Sequence, residues 1–359
     1  MKSILKTIST ALLVIGDRIR KREIVLAIGF SRWKRPFVQK LLRDCAIIFI
    51  DEITPLRVAL RLLHRTRSRC VVWSFKDEEL KIPEGLLKDS SIERIEDGFV
   101  RSIGRGIDHA PPWSFCIDPI GMYYDATRPS ALEYLCNNLD HHGFKLMEKH
   151  AAAAMSLLLS TGITKYNGIA ASNPAHPPIY RPDAVLVLGQ VEDDASITRN
   201  KNAISTNKSL LERAVSDNPS SMIYFKQHPD CLGARRRAGY INCPQSERII
   251  EVDPDVSLPE ALTSVDIVYT ISSLGGFEAL LRGKRVVTFG NPFYAGWGLT
   301  TDHVAFPRRK VSLSILELFY VAYMQYPAYL NPHTGQRLAL INVIQELSSI
   351  NATTIPNDS

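Results

Sequence analysis

Short, uninterrupted apolar runs alternate with helix-patterned segments along this chain, and that alternation constrains its fold more than any other feature. Runs such as Cys70-Val-Val-Trp-Ser-Phe75 and Asp183-Ala-Val-Leu-Val-Leu-Gly189 show no polar face. They fit strands covered on both sides, as parallel sheets require. The strands predicted on this basis are Glu23–Phe30, Ala46–Ile50, Cys70–Phe75, Ile92–Ile95, Asp183–Leu188, Met222–Lys226, Ile249–Val252, Ile267–Tyr269 and Val286–Phe289. Helical patterns separate them, including Lys34–Leu42, Ser130–Leu139, Phe144–Leu159, Ser273–Arg282, Ser312–Met324 and Gly335–Leu347. Strand–helix alternation over 359 residues predicts an α/β protein with two Rossmann-like domains facing a cleft, a GT-B-like arrangement. The Pro-rich segment 173–182 places the expected boundary. Residues 1–172 then form an N-terminal, acceptor-side domain, 183–347 a nucleotide-binding domain whose last helices belong to either, and 348–359 a polar tail.

Composition narrows the partners. A formal net charge of +6 suits an anionic small molecule or membrane surface, and no zinc-finger or RNA-binding motif points to nucleic acid. Six scattered cysteines without a CxxC pair fit a reduced, cytoplasmic protein. In the N-terminal segment Ile4, Ile8, Leu12, Ile15 and Ile19 fall on one helical face among Lys2, Lys6, Arg18, Arg20, Lys21 and Arg22. Such a helix packs on its own domain or lies peripherally on the anionic cytoplasmic leaflet of a membrane.

Four segments carry candidate chemistry. In Thr270-Ile-Ser-Ser-Leu-Gly-Gly276 a strand gives way to a helix whose N-terminus suits a phosphate. Ser272 and Ser273 add hydroxyl donors, Gly275 and Gly276 leave room for close approach, and Glu278 can accept from ribose hydroxyls. Capping of the helix by serine is the plainer reading. In Tyr224-Phe-Lys-Gln-His-Pro-Asp230 an apolar strand delivers Lys226 and His228 to its carboxyl end, with Pro229 fixing the turn. After Gly189-Gln-Val, three carboxylates follow, Glu192, Asp193 and Asp194, read as a nucleophile or base, as a solvated turn, or less readily as a metal site. The fourth segment, Arg94–Gly106, offers Glu96 and Asp97 as an acid/base and Arg101 and Arg105 as holders of a carboxylate or phosphate. Beyond it, 118–130 looks like a hairpin followed by a capped helix, with an ordinary turn as the favoured reading.

Taken together, EDGFVRSIGRG, GMYYDATRPSALE, VLVLGQVEDDAS, FKQHPD and ISSLGGFEALLRGKRVVTFGNPFYAGWGLT resemble one module of the KpsC/LipB-type capsule polysaccharide synthesis proteins, over about Ile24 to Leu347. The resemblance implies a retaining β-Kdo transferase that takes Kdo from CMP-β-Kdo and extends a Kdo-terminated glycolipid. By it, His228, Ser272 and Ser273 hold the CMP phosphate, and Lys226 or an arginine of 101–105 meets the Kdo carboxylate. Asp194, or else Asp193, becomes the nucleophile, with Glu96 or Asp97 as runner-up. One phosphate needs no metal to neutralise it, so neither metal nor cofactor is expected. The alternatives are another GT-B transferase or UDP-sugar epimerase, and a non-catalytic partner in capsule assembly or export.

Overall fold

A computed structural model describes residues 2–19, 23–63, 69–88, 90–104, 106–167, 183–200, 203–232, 238–244 and 246–354. The chain divides into two compact units, each built on a six-stranded sheet. Met1–Met122, Lys165–Asn167 and Gln325–Thr353 make the first; Tyr123–Thr164, Gly168–Met324 and Thr354–Ser359 make the second. The expected boundary at 173–182 lies outside the described residues, and the division falls elsewhere. The helices Ala131–Asn137 and His141–Thr161, expected in the N-terminal domain, belong to the second unit.

In the second unit the strands run Ile249–Glu251, Ile223–Lys226, Val185–Leu188, Ile267–Thr270, Arg285–Thr288 and Thr301–Asp302, all parallel. Numbered within the unit, this is the order 3-2-1-4-5-6 of a dinucleotide-binding sheet. Val185–Leu188 and Ile267–Thr270 are buried at every position because helices cover both faces, which is why their sequences show no alternation. Val185, Val187, Phe225, Tyr269 and Phe289 form one side of the core with Leu210, Leu211 and Ala214 of the helix Asn207–Asp217.

The first unit's sheet runs Pro327–Tyr329, Ser114–Asp118, Ser91–Asp97, Arg69–Trp73, Ile24–Ile28 and Ala46–Ile50. Its last four strands are parallel, whereas Ser114–Asp118 pairs antiparallel with both neighbours. Neither antiparallel strand is legible in the sequence: Ser-Phe-Cys-Ile-Asp has three apolar residues, and the edge strand begins with a proline. After Asp118 the chain makes the favoured ordinary turn rather than a hairpin, and in it Asp118 Oδ1 accepts from Ile120 N (2.9 Å) and Gly121 N (2.8 Å).

Two C-terminal helices also differ from their patterns. Ile315–Phe319, started by a Ser314/Glu317 capping box, continues as a π-helical turn over Tyr320–Gln325. The final helix starts at Leu340 rather than Gly335. Before it, the Asn331 side chain accepts from His333 N and Thr334 N, Gly335 adopts φ +76°, and Leu330 bridges Arg337 antiparallel, so a tight turn consumes the expected first helical turn.

Candidate active site

The second unit's strand order reverses between Val185–Leu188 and Ile267–Thr270, and open α/β sheets bind ligands outside the carboxyl ends of the strands at such a reversal. Three adjacent strands end there. Val185–Leu188 leads into Gly189, Gln190 and the acidic run, Ile223–Lys226 into His228, and Ile267–Thr270 into Ser272 and Ser273. The structure therefore brings three of the four candidate segments to one sheet edge.

Gln190, which the sequence reading passed over, joins two of them. Its Oε1 accepts from Ser272 N (2.8 Å) and Thr270 Oγ1 (3.3 Å), and its Nε2 donates to Ser272 Oγ (3.2 Å). Its backbone is clamped by Asn207, whose Oδ1 accepts from Gln190 N (2.9 Å) and whose Nδ2 donates to Gln190 O (2.7 Å). The only sequence signal was one polar residue between Gly189 and Val191. Ser272 Oγ donates in turn to Ser196 O (2.8 Å), and Ser196 N donates to Asp194 Oδ1 (2.9 Å). The serine turn and Asp194 are thus linked through a single residue.

Asp194 caps the short helix Ala195–Thr198 and so has a fixed orientation, whereas Asp193 is exposed. Glu192 Oε1 accepts from Asn207 N at 2.7 Å, the first residue of the next helix. Ser273 caps Leu274–Leu281 by accepting from Gly275 N (3.2 Å). The capping reading of this serine is correct, and the next amide, Gly276 N, donates to Ser273 O at 3.0 Å.

His228 Nδ1 accepts from Asp230 N at 3.1 Å, which fixes the neutral ring with its proton on Nε2, a donor. Pro229 begins the helix Pro229–Leu232. Lys226 is already engaged: Nζ donates to Val256 O at 2.5 Å, and burial pushes its ammonium below the usual lysine range. In this structure it holds the protein backbone rather than facing a sugar carboxylate.

The room beside the two glycines is taken up by the protein itself. A Cβ on Gly276 would lie 2.1 Å from the Tyr294 hydroxyl, and one on Gly275 2.9 Å from both Leu188 Cδ1 and Leu258 Cδ2. Protein side chains, not a ligand, fill that room. Tyr294 donates to Ser273 O at 2.5 Å, so the Pro292–Gly298 loop braces the start of the helix from behind. Arg309 holds that loop through Pro292 O (2.7 Å) and Ala295 O (2.5 Å), and Trp297 Nε1 bonds Phe293 O (2.8 Å).

Glu278 follows one turn into the helix and is 7% exposed. Its Oε2 accepts no hydrogen bond, and Arg282 Nη1 lies 3.8 Å away. Burial pushes the carboxyl up to about 7 against the weaker pull of Arg282. A buried carboxyl oxygen that accepts no hydrogen bond is costly unless a ligand supplies one.

The fourth segment lies in the first unit. Asp97 is paired with Lys34, and Arg101 is not available to a ligand: wholly buried, it places Nε 2.9 Å from Asp97 Oδ2 and donates from Nη1 to Ser102 Oγ (2.7 Å). Arg105 lies outside the described residues. Among the described residues, no group of three or more His, Cys, Asp or Glu side chains is placed to hold a metal ion, and no helix is long and apolar enough to cross a membrane.

Two α/β units, one with dinucleotide-binding strand order and ligand-type groups at its reversal point, define a GT-B-like protein. The chain belongs to the capsule polysaccharide biosynthesis protein family, whose pattern it matches over residues 87–184 and 164–329. It is 36% identical to the lipopolysaccharide-processing protein LpsZ of Rhizobium meliloti over 91% of this chain and 75% of that protein. It is also 36% identical to the capsule polysaccharide modification protein LipA of Neisseria meningitidis, over 71% of this chain but only 37% of LipA. Among solved structures, the β-Kdo 2,4 transferase of Thermosulfurimonas dismutans KpsC superposes with a TM-score of 0.73 at 31% identity, covering 90% of this chain and 97% of that one. The β-Kdo 2,7 transferase of the same KpsC gives 0.70 at 30%, covering 91% and 99%.

Proposed function

We propose that this chain is a retaining β-Kdo transferase that uses CMP-β-Kdo to extend a Kdo-bearing glycolipid of a capsular polysaccharide. One observation carries the reading: the Gln190–Ser272–Ser196–Asp194 hydrogen-bond chain puts a phosphate-suited helix start and an oriented carboxylate at one sheet edge. Likeness over nearly the whole length of two Kdo transferases supports it.

In this mechanism the positive end of the helix Leu274–Leu281 and the Ser273 hydroxyl receive the CMP phosphate, Ser272 holds the turn through Gln190 and Ser196 O, His228 Nε2–H donates to the phosphate, and Glu278 accepts from the ribose hydroxyls. Asp194 attacks the anomeric carbon of Kdo, the bond to the phosphate oxygen breaks, and CMP leaves as the anion. An acceptor hydroxyl, giving its proton to water, then displaces Asp194 from the anomeric carbon, so two inversions retain configuration. Asp194 is preferred to Asp193 because its orientation is fixed. The anionic donor is complemented by the helix start and His228, and the mechanism routes no step through a metal.

The acceptor is a lipid-linked glycan, and the N-terminal helix Lys2–Ile19 suits a peripheral place on an anionic cytoplasmic leaflet. Thr10 and Val14 are buried, while Ile8, Leu12, Leu13 and Ile15 are 46–66% exposed. Six basic and two acidic residues among the first 23 complement an anionic lipid surface.

The test is incubation with CMP-Kdo, followed by intact mass and peptide mapping. A gain of one Kdo on the peptide containing Asp194 is expected. CMP, and not UDP, should raise the unfolding temperature; stabilisation by UDP alone would refute the donor assignment.

A further inference from the structure

The acidic run after Gly189 leads into a segment that crosses the carboxyl edge of the second unit's sheet. It is pinned at Ser196, whose carbonyl accepts from Ser272 Oγ (2.8 Å) beyond one strand, and at Ala203, whose N donates to Phe289 O (2.8 Å) beyond the next. Arg199 lies between the two pins, five residues after Asp194, about 7.5 Å on at 1.5 Å per helical residue. A second segment docks there. Asp125-Ala-Thr-Arg128 forms an Asx turn, in which Asp125 Oδ1 accepts from Thr127 N (3.0 Å) and Thr127 Oγ1 (2.5 Å). Asn200 fastens this turn to the crossing segment: its Oδ1 accepts from Ala126 N (3.2 Å), and its Nδ2 donates to Ser196 O, the carbonyl that also receives Ser272. Arg308 braces the turn, donating from Nη2 to Ala126 O (3.0 Å) and Arg128 O (3.2 Å) while its Nε holds Glu133 Oε1 (2.6 Å). All of these residues belong to the second unit.

The turn and Arg199 together make a charged triad. The Asp125 side chain is wholly buried, and its Oδ2 accepts no hydrogen bond. Arg128 Nε lies 3.1 Å and Arg199 Nη1 3.7 Å from that oxygen. Both guanidiniums stay partly open to solvent, at 43% and 24% side-chain exposure. Within the triad two positive charges meet one buried negative charge, and a second carboxylate arriving from solvent would complete the balance. A guanidinium presents five N–H donors in a planar fork that matches a carboxylate edge to edge. Lys226 and Arg101, the other cations expected at a sugar carboxylate, are engaged elsewhere, on Val256 O and on Asp97 of the first unit.

We propose that Arg128 and Arg199, aligned on Asp125, bind the carboxylate of the transferred sugar acid. This rests on the transferase reading and deepens it. In a 2-ulosonic acid the carboxylate is bonded to the anomeric carbon itself. Gripping it fixes the reacting carbon beside the segment that carries Asp194, and it selects sugar acids over neutral sugars. Asp125 is the positioning residue that holds the two arginines.

The experiment sets the whole donor against the nucleotide alone. For the wild type, Arg199→Gln, Arg128→Gln, Arg199→Lys and Asp125→Asn, kcat/KM for CMP-Kdo is measured beside the Kd of CMP, which lacks the carboxylate, with unfolding temperatures alongside. Arg199→Gln and Arg128→Gln should each lower kcat/KM about 10- to 100-fold, the worth of a charge-assisted hydrogen bond, with CMP affinity within about twofold of wild type. Arg199→Lys keeps the charge but not the fork and should recover part of the loss. Asp125→Asn should show the same split between donor and nucleotide. The two glutamine variants replace partly exposed side chains and keep the inference testable if Asp125→Asn does not fold. Donor turnover and CMP affinity that fall in equal proportion in both glutamine variants mark a structural brace and overturn the inference, as does an unchanged kcat/KM in both, while the wild type stays active. A wild type that neither binds CMP nor releases it from CMP-Kdo overturns the transferase reading and the inference with it.

Discussion

Replacing Glu278 with glutamine should change how stability depends on pH. The carboxyl titrates near 4.5 in the ordinary case and at about 7 in the fold, where burial disfavours its charge. Between those values the folded chain keeps a proton that the unfolded chain has released. The unfolded state then binds fewer protons, so stability falls as pH rises through the window and levels off above it. The gap corresponds to about 3 kcal/mol, at about 1.4 kcal/mol per pH unit. At 7% exposure the side chain is little screened by solvent. Denaturant unfolding at pH 5 and pH 8 should show this decline in the wild type. Glu278→Gln keeps the shape and cannot ionise, so its stability should decline about 3 kcal/mol less. Ribose hydroxyls would donate to the ionised form, so CMP affinity should rise up to tenfold per pH unit below pH 7 and flatten in the variant. Parallel pH profiles for the two proteins, in stability and in CMP affinity, would refute the assignment of a buried, ligand-seeking carboxyl.

Three further outcomes are expected. Asp194→Asn should lose transfer while isothermal titration shows CMP binding within a few-fold of wild type; full turnover in that variant excludes Asp194 as nucleophile. Tyr294→Phe removes the 2.5 Å bond to the Ser273 carbonyl and should cost about 1–2 kcal/mol of stability, read by denaturant unfolding, together with weaker CMP binding. In sedimentation with vesicles, anionic lipid should retain the wild type in a salt-sensitive manner. Leu12→Glu combined with Ile15→Glu should release it, each exposed side chain contributing roughly 1 kcal/mol, and equal retention of both proteins would argue against the membrane face.

Much of the second unit was legible because its strands are buried on both faces and read as unbroken apolar runs; the residues just beyond them, His228 and Ser272, could be found by position alone. Gln190 was not, since a single glutamine carries no pattern and its partners lie about 80 residues away. Arg101 was misread for a physical reason: a charged residue among glycines looks exposed, whereas pairing with Asp97 lets it be buried completely. Lys34 was invisible because its partner Asp97 is 63 residues distant. Glycine at 275 and 276 signalled close approach correctly, but the sequence could not say what approaches.

That approach ties positions 276 and 294 into one choice. A methyl group at 276 and a phenol at 294 cannot occupy the same space, since they would meet at 2.1 Å. Any descendant of this sequence that gains a side chain at 276 must shrink position 294, and so surrender the strut on the Ser273 carbonyl. The two positions should therefore drift together or not at all, and an alanine at 276 beside an intact tyrosine would mark a chain whose helix start has shifted.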